Sequence, residues 1–192
     1  MRQSPGRPLL AAKMLVPLPR PGAVVRSRLH ERLHAAGPTR LTTVVAPAGW
    51  GKTTLLAAWA RDPAERRPVA WLSLDEADDE LVRFWTYTLS ALGTVAPHLV
   101  QEALAALSAP GLDPVDVALP ALLNALAAET ATAETATAET ATAETATAET
   151  GQRVLVLDDF HVLTDPAIGE SLEFLLSYLP SSLRLGRVSD VS

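Results

Sequence analysis

Apolar residues follow two kinds of pattern along the chain, and together these predict its secondary structure. Short continuous apolar runs at Leu41–Ala46, Val69–Leu74 and Gln152–Leu157 predict three buried strands, and a fourth could begin within residues 182–192. Apolar positions at helical spacing predict helices over residues 24–36, 53–60, 80–92, 98–107, 114–128 and 166–178. Because strands and helices alternate, we expect an α/β fold with three layers, α/β/α, around a mainly parallel sheet.

A low-complexity tract interrupts this pattern over residues 128–150. From Ala128 it repeats the unit Ala-Glu-Thr-Ala-Thr. Five residues advance a helix by about 140° net, so no face of such a helix gathers apolar side chains. Without large apolar side chains the tract cannot bury surface. We therefore expect a solvated, frayed helix or a disordered loop that acts as a spacer.

Composition excludes several classes of protein. The chain has 192 residues and no cysteine, which excludes a disulfide framework and suits the cytoplasm. Its net charge of -6 provides no basic surface for nucleic acid, so we expect no direct contact with DNA. Its apolar runs are shorter than the roughly 18–20 residues of a membrane span, so we expect no membrane insertion. Proline density in residues 1–22 favours an extended arm.

A glycine-rich segment between the first predicted strand and the next helix carries the strongest functional signal. It matches the phosphate-binding P-loop pattern G-x-x-x-x-G-K-[ST], except that Ala46 replaces the first glycine. In such a loop the backbone N–H groups face the phosphates, Lys52 reaches the β- and γ-phosphates, and the Thr53 hydroxyl binds Mg²⁺. We therefore expect ATP with Mg²⁺ to be bound by Ala46, Pro47, Ala48, Gly49, Trp50, Gly51, Lys52, Thr53 and Thr54.

Two aspartates close the third predicted strand. A carboxylate at the end of a buried strand needs a partner, because burial of an unpaired charge is costly. In a P-loop protein that partner is Mg²⁺, so we expect Asp158 to bind the metal together with Thr53. Asp159 is the predicted catalytic residue, a general base that would polarise the attacking water.

Other polar and aromatic residues have a structural interpretation that outweighs a functional one. Two histidines four apart on the first predicted helix lack further metal ligands, and the histidine after the acidic pair is expected at the surface. Three aspartates after the second strand are expected in a solvated loop, and three aromatic residues are expected in the core. The two helical histidines are His30 and His34, and the histidine after the acidic pair is His161. The three aspartates are Asp75, Asp78 and Asp79, and the three aromatic residues are Trp71, Phe84 and Trp85.

Several segments together match the motifs of a known family. They are Leu10–Pro21, Val25–Leu33, Ala46–Thr54, Ala70–Asp75 and Val156–His161. These segments resemble the amino-terminal module of large MalT-like LuxR-family transcriptional regulators, which belong to the STAND class of P-loop NTPases. The resemblance extends from about residue 9 to residue 185, and alanine at the first P-loop position is usual in that family.

The resemblance implies an ATP-dependent switch in which the ATP-bound protein self-associates and activates transcription, and hydrolysis resets it. It places Val25–Arg28 near the adenine. It also places the strand that follows the acidic pair between the acidic strand and the P-loop strand. In the family, a carboxy-terminal helix-turn-helix binds DNA and helical repeats sense an inducer. We expect this chain to lack both regions.

The chain departs from the family in its last residues. After Leu185, family members continue with an apolar strand and a Ser-Arg pair that faces the γ-phosphate, whereas here Asp190 stands where the arginine is expected. An altered reading frame that ends early would produce such a truncated chain. If so, the downstream DNA, read in the other frames, encodes the missing segment.

These observations predict an arm with a short helix over residues 1–40, a P-loop NTPase domain over 41–185, and an atypical tail over 186–192. We expect the sheet to be incomplete at its carboxy-terminal end, which favours nucleotide binding over efficient turnover. Two other functions stay open at this point. One is a stand-alone P-loop kinase or ATPase, although the chain shows no arginine-rich lid after Asp159. The other is a non-enzymatic interaction fragment.

Overall fold

A single parallel sheet organises the molecule. The computed structural model describes residues 9–18, 22, 24, 26–35, 39–109, 114–139 and 151–190. The strands in this part of the chain are β1, β2, β3 and β4, which span Leu41–Val45, Val69–Ser73, Arg153–Asp158 and Leu183–Ser189. Their order is β1-β4-β3-β2, and all neighbouring pairs are parallel. The predicted α/β fold with a parallel sheet is confirmed.

The last strand lies in the middle of the sheet. β4 pairs with β1 on one side and with β3 on the other, so it separates the P-loop strand from the acidic strand, as the resemblance implied. In this register Val45 is opposite Ser189, and Leu157 is opposite Arg187. The residue that follows β4 therefore leaves the sheet between the P-loop and the acidic pair. The division of the chain at residue 185 stays a prediction.

Helices are present wherever the apolar spacing predicted them. The α-helices of the described residues, α1 to α6, span Ser27–His34, Lys52–Ala60, Leu81–Gly93, Pro97–Ser108, Pro114–Glu139 and Pro166–Tyr178. Short 3₁₀ helices occur at Ala11–Met14, Glu76–Asp78 and Phe160–Val162. Among these helices, none combines the length and the apolar character that crossing a membrane requires.

Hydrophobic side chains cover both faces of the sheet. Along β3, Val154 and Val156 join one core and Leu155 and Leu157 join the other, because successive side chains of a strand alternate between faces. The larger core lies under α3, α4, α5 and α6, and the smaller core lies under α2. The predicted three-layer arrangement follows from these two cores. The aromatic residues predicted in the core are fully buried, namely Trp71, Phe84 and Trp85.

The start of the Ala-Glu-Thr tract is held to the sheet. Helix α5 continues from the apolar region into the tract as far as Glu139, and residues 140–150 lie outside the described part. Glu129 accepts hydrogen bonds from both terminal nitrogens of Arg153, at 2.6 and 2.8 Å, and Arg153 lowers the pKa of Glu129. Thr130 Oγ1 lies 3.1 Å from Ser182 Oγ. The first repeat is therefore helical and largely exposed, which agrees with the helical alternative of the prediction. The charge pairing that holds this helix to the sheet was not predicted.

The acidic segment after β2 anchors the amino-terminal arm. Asp78 is fully buried, and its carboxylate accepts hydrogen bonds from Lys13 Nζ at 2.5 Å, Arg83 Nε at 3.2 Å and the backbone N–H of Asp75 at 3.1 Å. The prediction that these aspartates lie in a solvated loop is wrong for Asp78. The reason is that a cation from the arm and another from α3 neutralise its charge, and the sequence pattern of neither element shows this pairing.

Replacement of Asp78 by asparagine should lower the free energy of unfolding by about 2 kcal/mol, since charged hydrogen bonds to Lys13 and Arg83 are lost. This loss of stability is smaller than the loss expected when a buried charge is left without any partner. In the variant, Lys13 still pairs with Asp75 at 2.7 Å. Urea denaturation at neutral pH measures the change. Asp116→Asn, on the exposed face of α5, is the matched control. Equal stability of the two variants would contradict the anchoring role.

Candidate functional site

The P-loop follows β1 and leads directly into α2. Gly49 and Gly51 have φ angles of +80° and +77°, a region that side chains with a Cβ rarely adopt. A Cβ at either glycine would meet no atom within 4 Å, so the backbone conformation and not lack of space requires glycine. Gly51 is the N-cap residue of α2, and no described side chain caps this helix. The first N–H groups of α2 are therefore available to an anion, which the helix dipole would favour.

Lys52 is buried at the base of this loop, with 8% of its surface exposed. Its ammonium group donates hydrogen bonds to the backbone carbonyls of Ala46 at 2.9 Å and Pro47 at 3.1 Å. It also forms an ion pair with the carboxylate of Asp190. This contact lowers the pKa of Asp190. The lysine is thus already held toward the position where the P-loop pattern places phosphate oxygens.

Thr53 and Asp158 meet as the sequence predicts for a magnesium site. The Thr53 hydroxyl donates a hydrogen bond to Asp158 Oδ1 at 3.0 Å, across 105 positions of sequence. Asp158 is 1% exposed, and burial, followed by the charge of Asp159, raises its pKa to about 6. Hydroxyl and carboxylate oxygens are the ligands that Mg²⁺ prefers. The two residues therefore fit this cation, whose charge would offset the cost of ionising a buried carboxyl.

Asp159 adopts a conformation that is uncommon for a residue with a side chain. Its φ of +58° lies in the left-handed region, and it is the non-glycine residue with positive φ among those described. Such conformations cost free energy and cluster at functional sites. The turn directs the chain away from Asp158 into the 3₁₀ helix at Phe160–Val162. As a result the two neighbouring carboxylates have different surroundings, with Asp158 buried and Asp159 beside the cleft.

An open cleft of about 800 Å³ joins these elements at the carboxyl edge of the sheet. Predicted site residues that line it are Ala48, Gly49, Gly51, Lys52, Thr53, Thr54 and Asp159. Residues that follow β2, β3 and β4 complete the wall, namely Leu74, Asp75, Glu76, Ala77, His161, Val162 and Asp190. The structure therefore brings together in one cleft most of the residues selected from the sequence, and Asp158 contacts Thr53 from beneath it.

Two further predicted residues lie at a second cavity of about 530 Å³ between α1 and β1. Ala46 and Trp50 line this cavity, whereas Pro47 contributes its carbonyl to Lys52. Arg26 also lines the cavity and donates a hydrogen bond to the carbonyl of Trp50 at 3.3 Å. Part of the segment that the resemblance places near the adenine thus borders the P-loop. Val25 lies outside the described residues.

The weaker candidates have structural surroundings. His30 and His34 face the acidic residues that follow α2: both lie 3.6 Å from Asp62, and His34 lies 3.2 Å from Glu65. Across the described ranges there is no group of three or more side chains suited to hold a metal by itself. His161 lines the cleft, with its Nε2 atom 3.6 Å from Asp190, and its side chain is 33% exposed.

Sequence reasoning missed the pairing of Asp190 with Lys52. It identified Asp190 only as a departure from the family pattern, and nothing in the local sequence indicates a contact across 138 positions. The available signal was the predicted position of β4 beside the P-loop strand. A residue that follows such a strand must leave the sheet close to the loop.

Comparison with known proteins agrees with this geometry. A family profile described as the AAA ATPase domain matches residues 24–189, which include all four strands and every residue that lines the cleft except Asp190. The chain belongs to the AAA ATPase domain family. Membership in the AAA ATPase domain family accounts for the parallel sheet and makes this chain an ATPase-type module.

Two curated proteins named as transcriptional regulators are similar to most of this chain. The HTH-type transcriptional regulator MalT of Yersinia pestis (strain Pestoides F) is 34% identical over 179 residues, which is 92% of this chain. MalT of Yersinia enterocolitica serotype O:8 / biotype 1B is 32% identical over the same length. The chain spans 17% of the length of each of these relatives. The resemblance to MalT-like regulators is thereby confirmed, within the AAA ATPase domain.

Proposed function

We propose that this AAA ATPase domain binds ATP with Mg²⁺ as the nucleotide-dependent switch module of a MalT-like transcriptional regulator. The observation that carries the proposal is that Lys52 and Thr53 line one cleft and that Thr53 bonds to the buried Asp158, which lies more than 100 positions from the loop. A cation for phosphate, a hydroxyl and a buried carboxylate for Mg²⁺ are the complementary parts of a P-loop nucleotide site.

The P-loop would hold the phosphates through several donors at once. Its backbone N–H groups and the uncapped amino end of α2 supply a fixed positive potential, and Lys52 adds a full charge. Thr53 and Asp158 would hold Mg²⁺, which when bound neutralises phosphate charge. Burial of Lys52 and Asp158 keeps water away from both ionic contacts, which strengthens them.

We assign to Asp159 the role of acting on the attacking water. It lines the same cleft as Lys52 and Thr53, one position after the proposed metal ligand. A carboxylate there would orient a water and accept its proton. We assign nucleotide binding as the main activity, and turnover through Asp159 as a second and slower one.

The cavity lined by Arg26 and Trp50 is the proposed location of the adenine base of the nucleotide.

The regulatory context is part of the same proposal. The relatives are named as HTH-type transcriptional regulators, and this chain matches 17% of their length. We propose that the module acts in the cytoplasm, self-associates when ATP is bound, and leaves DNA contact to other parts of a regulator. Its net charge of -6 agrees with a module that does not contact DNA.

Titration of the purified chain with a fluorescent ATP analogue tests the proposed function. We expect saturable binding that competes with unlabelled ATP and weakens at least about tenfold when EDTA removes Mg²⁺, because the cation neutralises phosphate charge. Phosphate release measured in parallel separates binding from turnover. Failure of unlabelled ATP to compete would overturn the proposal. Saturable binding that is unchanged by EDTA would show that the proposed role of Mg²⁺ is wrong.

A further inference from the structure

The ammonium group of Lys52 has no hydrogen left for a phosphate. A lysine carries three N–H donors, and Lys52 directs them to the Ala46 carbonyl, the Pro47 carbonyl and the Asp190 carboxylate. The two carbonyls belong to the P-loop itself and hold the side chain in place. The carboxylate is the charged partner, and it lies where an incoming phosphate would bring its own negative charge.

The fold holds Asp190 in this position. Val45, the last residue of the P-loop strand, is in register with Ser189, so Asp190 follows the sheet directly beside Ala46. The second carboxylate oxygen lies 3.6 Å from Nε2 of His161, which also lines the cleft. Lys52 keeps the pKa of Asp190 below its usual range, so the carboxylate is charged at neutral pH. Its side chain is 24% exposed and has solvent to move into.

We propose that Asp190 occupies part of the γ-phosphate site and lowers the affinity of the cleft for ATP relative to ADP. The inference rests on the proposed function, and adds to it a residue that determines nucleotide preference. A P-loop lysine reaches both the β- and the γ-phosphate. A carboxylate at its tip repels the terminal phosphate of a triphosphate more strongly than it repels a diphosphate, because the extra charge is added nearest to it.

Paired titrations of ADP and a non-hydrolysable ATP analogue, adenylyl imidodiphosphate, test this inference in the presence of Mg²⁺. For Asp190→Asn we expect the ratio of analogue affinity to ADP affinity to rise by about tenfold, since one like charge is removed at close range. Asp190→Ala should show the same direction. Glu76→Gln is the matched control, because it removes one negative charge from the same cleft wall without a contact to Lys52. In Glu76→Gln the ratio of analogue affinity to ADP affinity should change by less than about threefold.

Each outcome decides between the inference and the proposed function. An unchanged ratio in both Asp190 variants, with folding verified by circular dichroism, would overturn the inference and leave nucleotide binding intact. An equal rise in affinity for both nucleotides would also overturn it, because Asp190 would then compete with nucleotides in general. Absence of binding in the unmodified chain and in all variants would overturn the proposed function, and the inference with it.

Discussion

Replacement of Lys52 by alanine is expected to weaken ATP–Mg²⁺ binding by about 100-fold, since hydrogen bonds from a charged donor to phosphate contribute roughly 2–3 kcal/mol. The lysine is buried, and the P-loop carbonyls of Ala46 and Pro47 hold its ammonium group in advance, so that phosphate has to displace only Asp190 from it. Little conformational entropy is then lost on binding, and that is why the loss should be large. Displacement of a fluorescent ATP analogue measures it.

The matched control for this variant is Arg66→Ala. Arg66 lies exposed after α2, so the change removes one positive charge from the chain without touching the cleft. We expect its affinity for ATP to stay within about threefold of the unmodified chain, because exposed charges act weakly at a distance. If Lys52→Ala bound ATP as well as Arg66→Ala does, the P-loop would not be the phosphate site.

Replacement of Asp158 by asparagine is expected to stabilise the metal-free chain while it abolishes the effect of Mg²⁺ on ATP binding. Burial raises the pKa of Asp158 from 3.8 to about 6, so the folded state favours the protonated carboxyl. Ionisation at neutral pH therefore costs the folded state about 3 kcal/mol. An asparagine avoids this cost and keeps an oxygen that can accept the hydrogen bond of Thr53. The asparagine side chain carries no negative charge, so it should not bind Mg²⁺ as the carboxylate would.

The difference in stability between Asp158→Asn and the unmodified chain should depend on pH. For a carboxyl whose pKa is raised on folding, stability is lost as pH rises from the unfolded value toward the folded value. The two proteins should thus be equally stable near pH 3.8, diverge up to about pH 6, and keep a constant difference above it. For a chain of this size about 3 kcal/mol corresponds to roughly 6–12 °C in melting temperature.

Thermal unfolding at several pH values without Mg²⁺ measures the effect, and Asp116→Asn on the exposed face of α5 controls for the loss of one carboxylate. A gain in stability for Asp158→Asn that is the same at pH 4 and pH 7 would contradict the assigned cause. So would a variant that still binds ATP more tightly when Mg²⁺ is added, because the proposed ligand would then be dispensable.

Local features of the chain were enough to predict the backbone elements that surround the candidate site. Gly49 and Gly51 stand where the loop needs left-handed backbone angles, and Lys52 follows at the start of a helix. A continuous apolar run ending in Asp158 and Asp159 predicts a buried strand with a carboxylate at its end. These predictions succeed because each depends on residues that are neighbours in sequence and on one backbone conformation at a time.

Other features depend on pairs of charges that lie far apart in the chain. Asp78 is buried because Lys13 reaches it across 65 positions, and Glu129 is anchored because Arg153 lies beneath α5. Composition indicated a solvated loop in the first case, and a solvated frayed helix or a disordered loop in the second. Neither ion pair was predicted, and the reason is the same in both cases. A charge can be buried wherever the fold brings an opposite charge to it, and local sequence does not contain that information.

The sequence by itself determined the alternation of strands and helices, the phosphate loop and the acidic strand end. Only the tertiary structure decided what those parts contact. It placed β4 between the P-loop strand and the acidic strand, and thereby brought Asp190 to Lys52 across 138 positions. Backbone conformation and apolar periodicity are local properties, whereas the charge that faces a buried lysine depends on strand order. Strand order is set by the packing of the whole sheet.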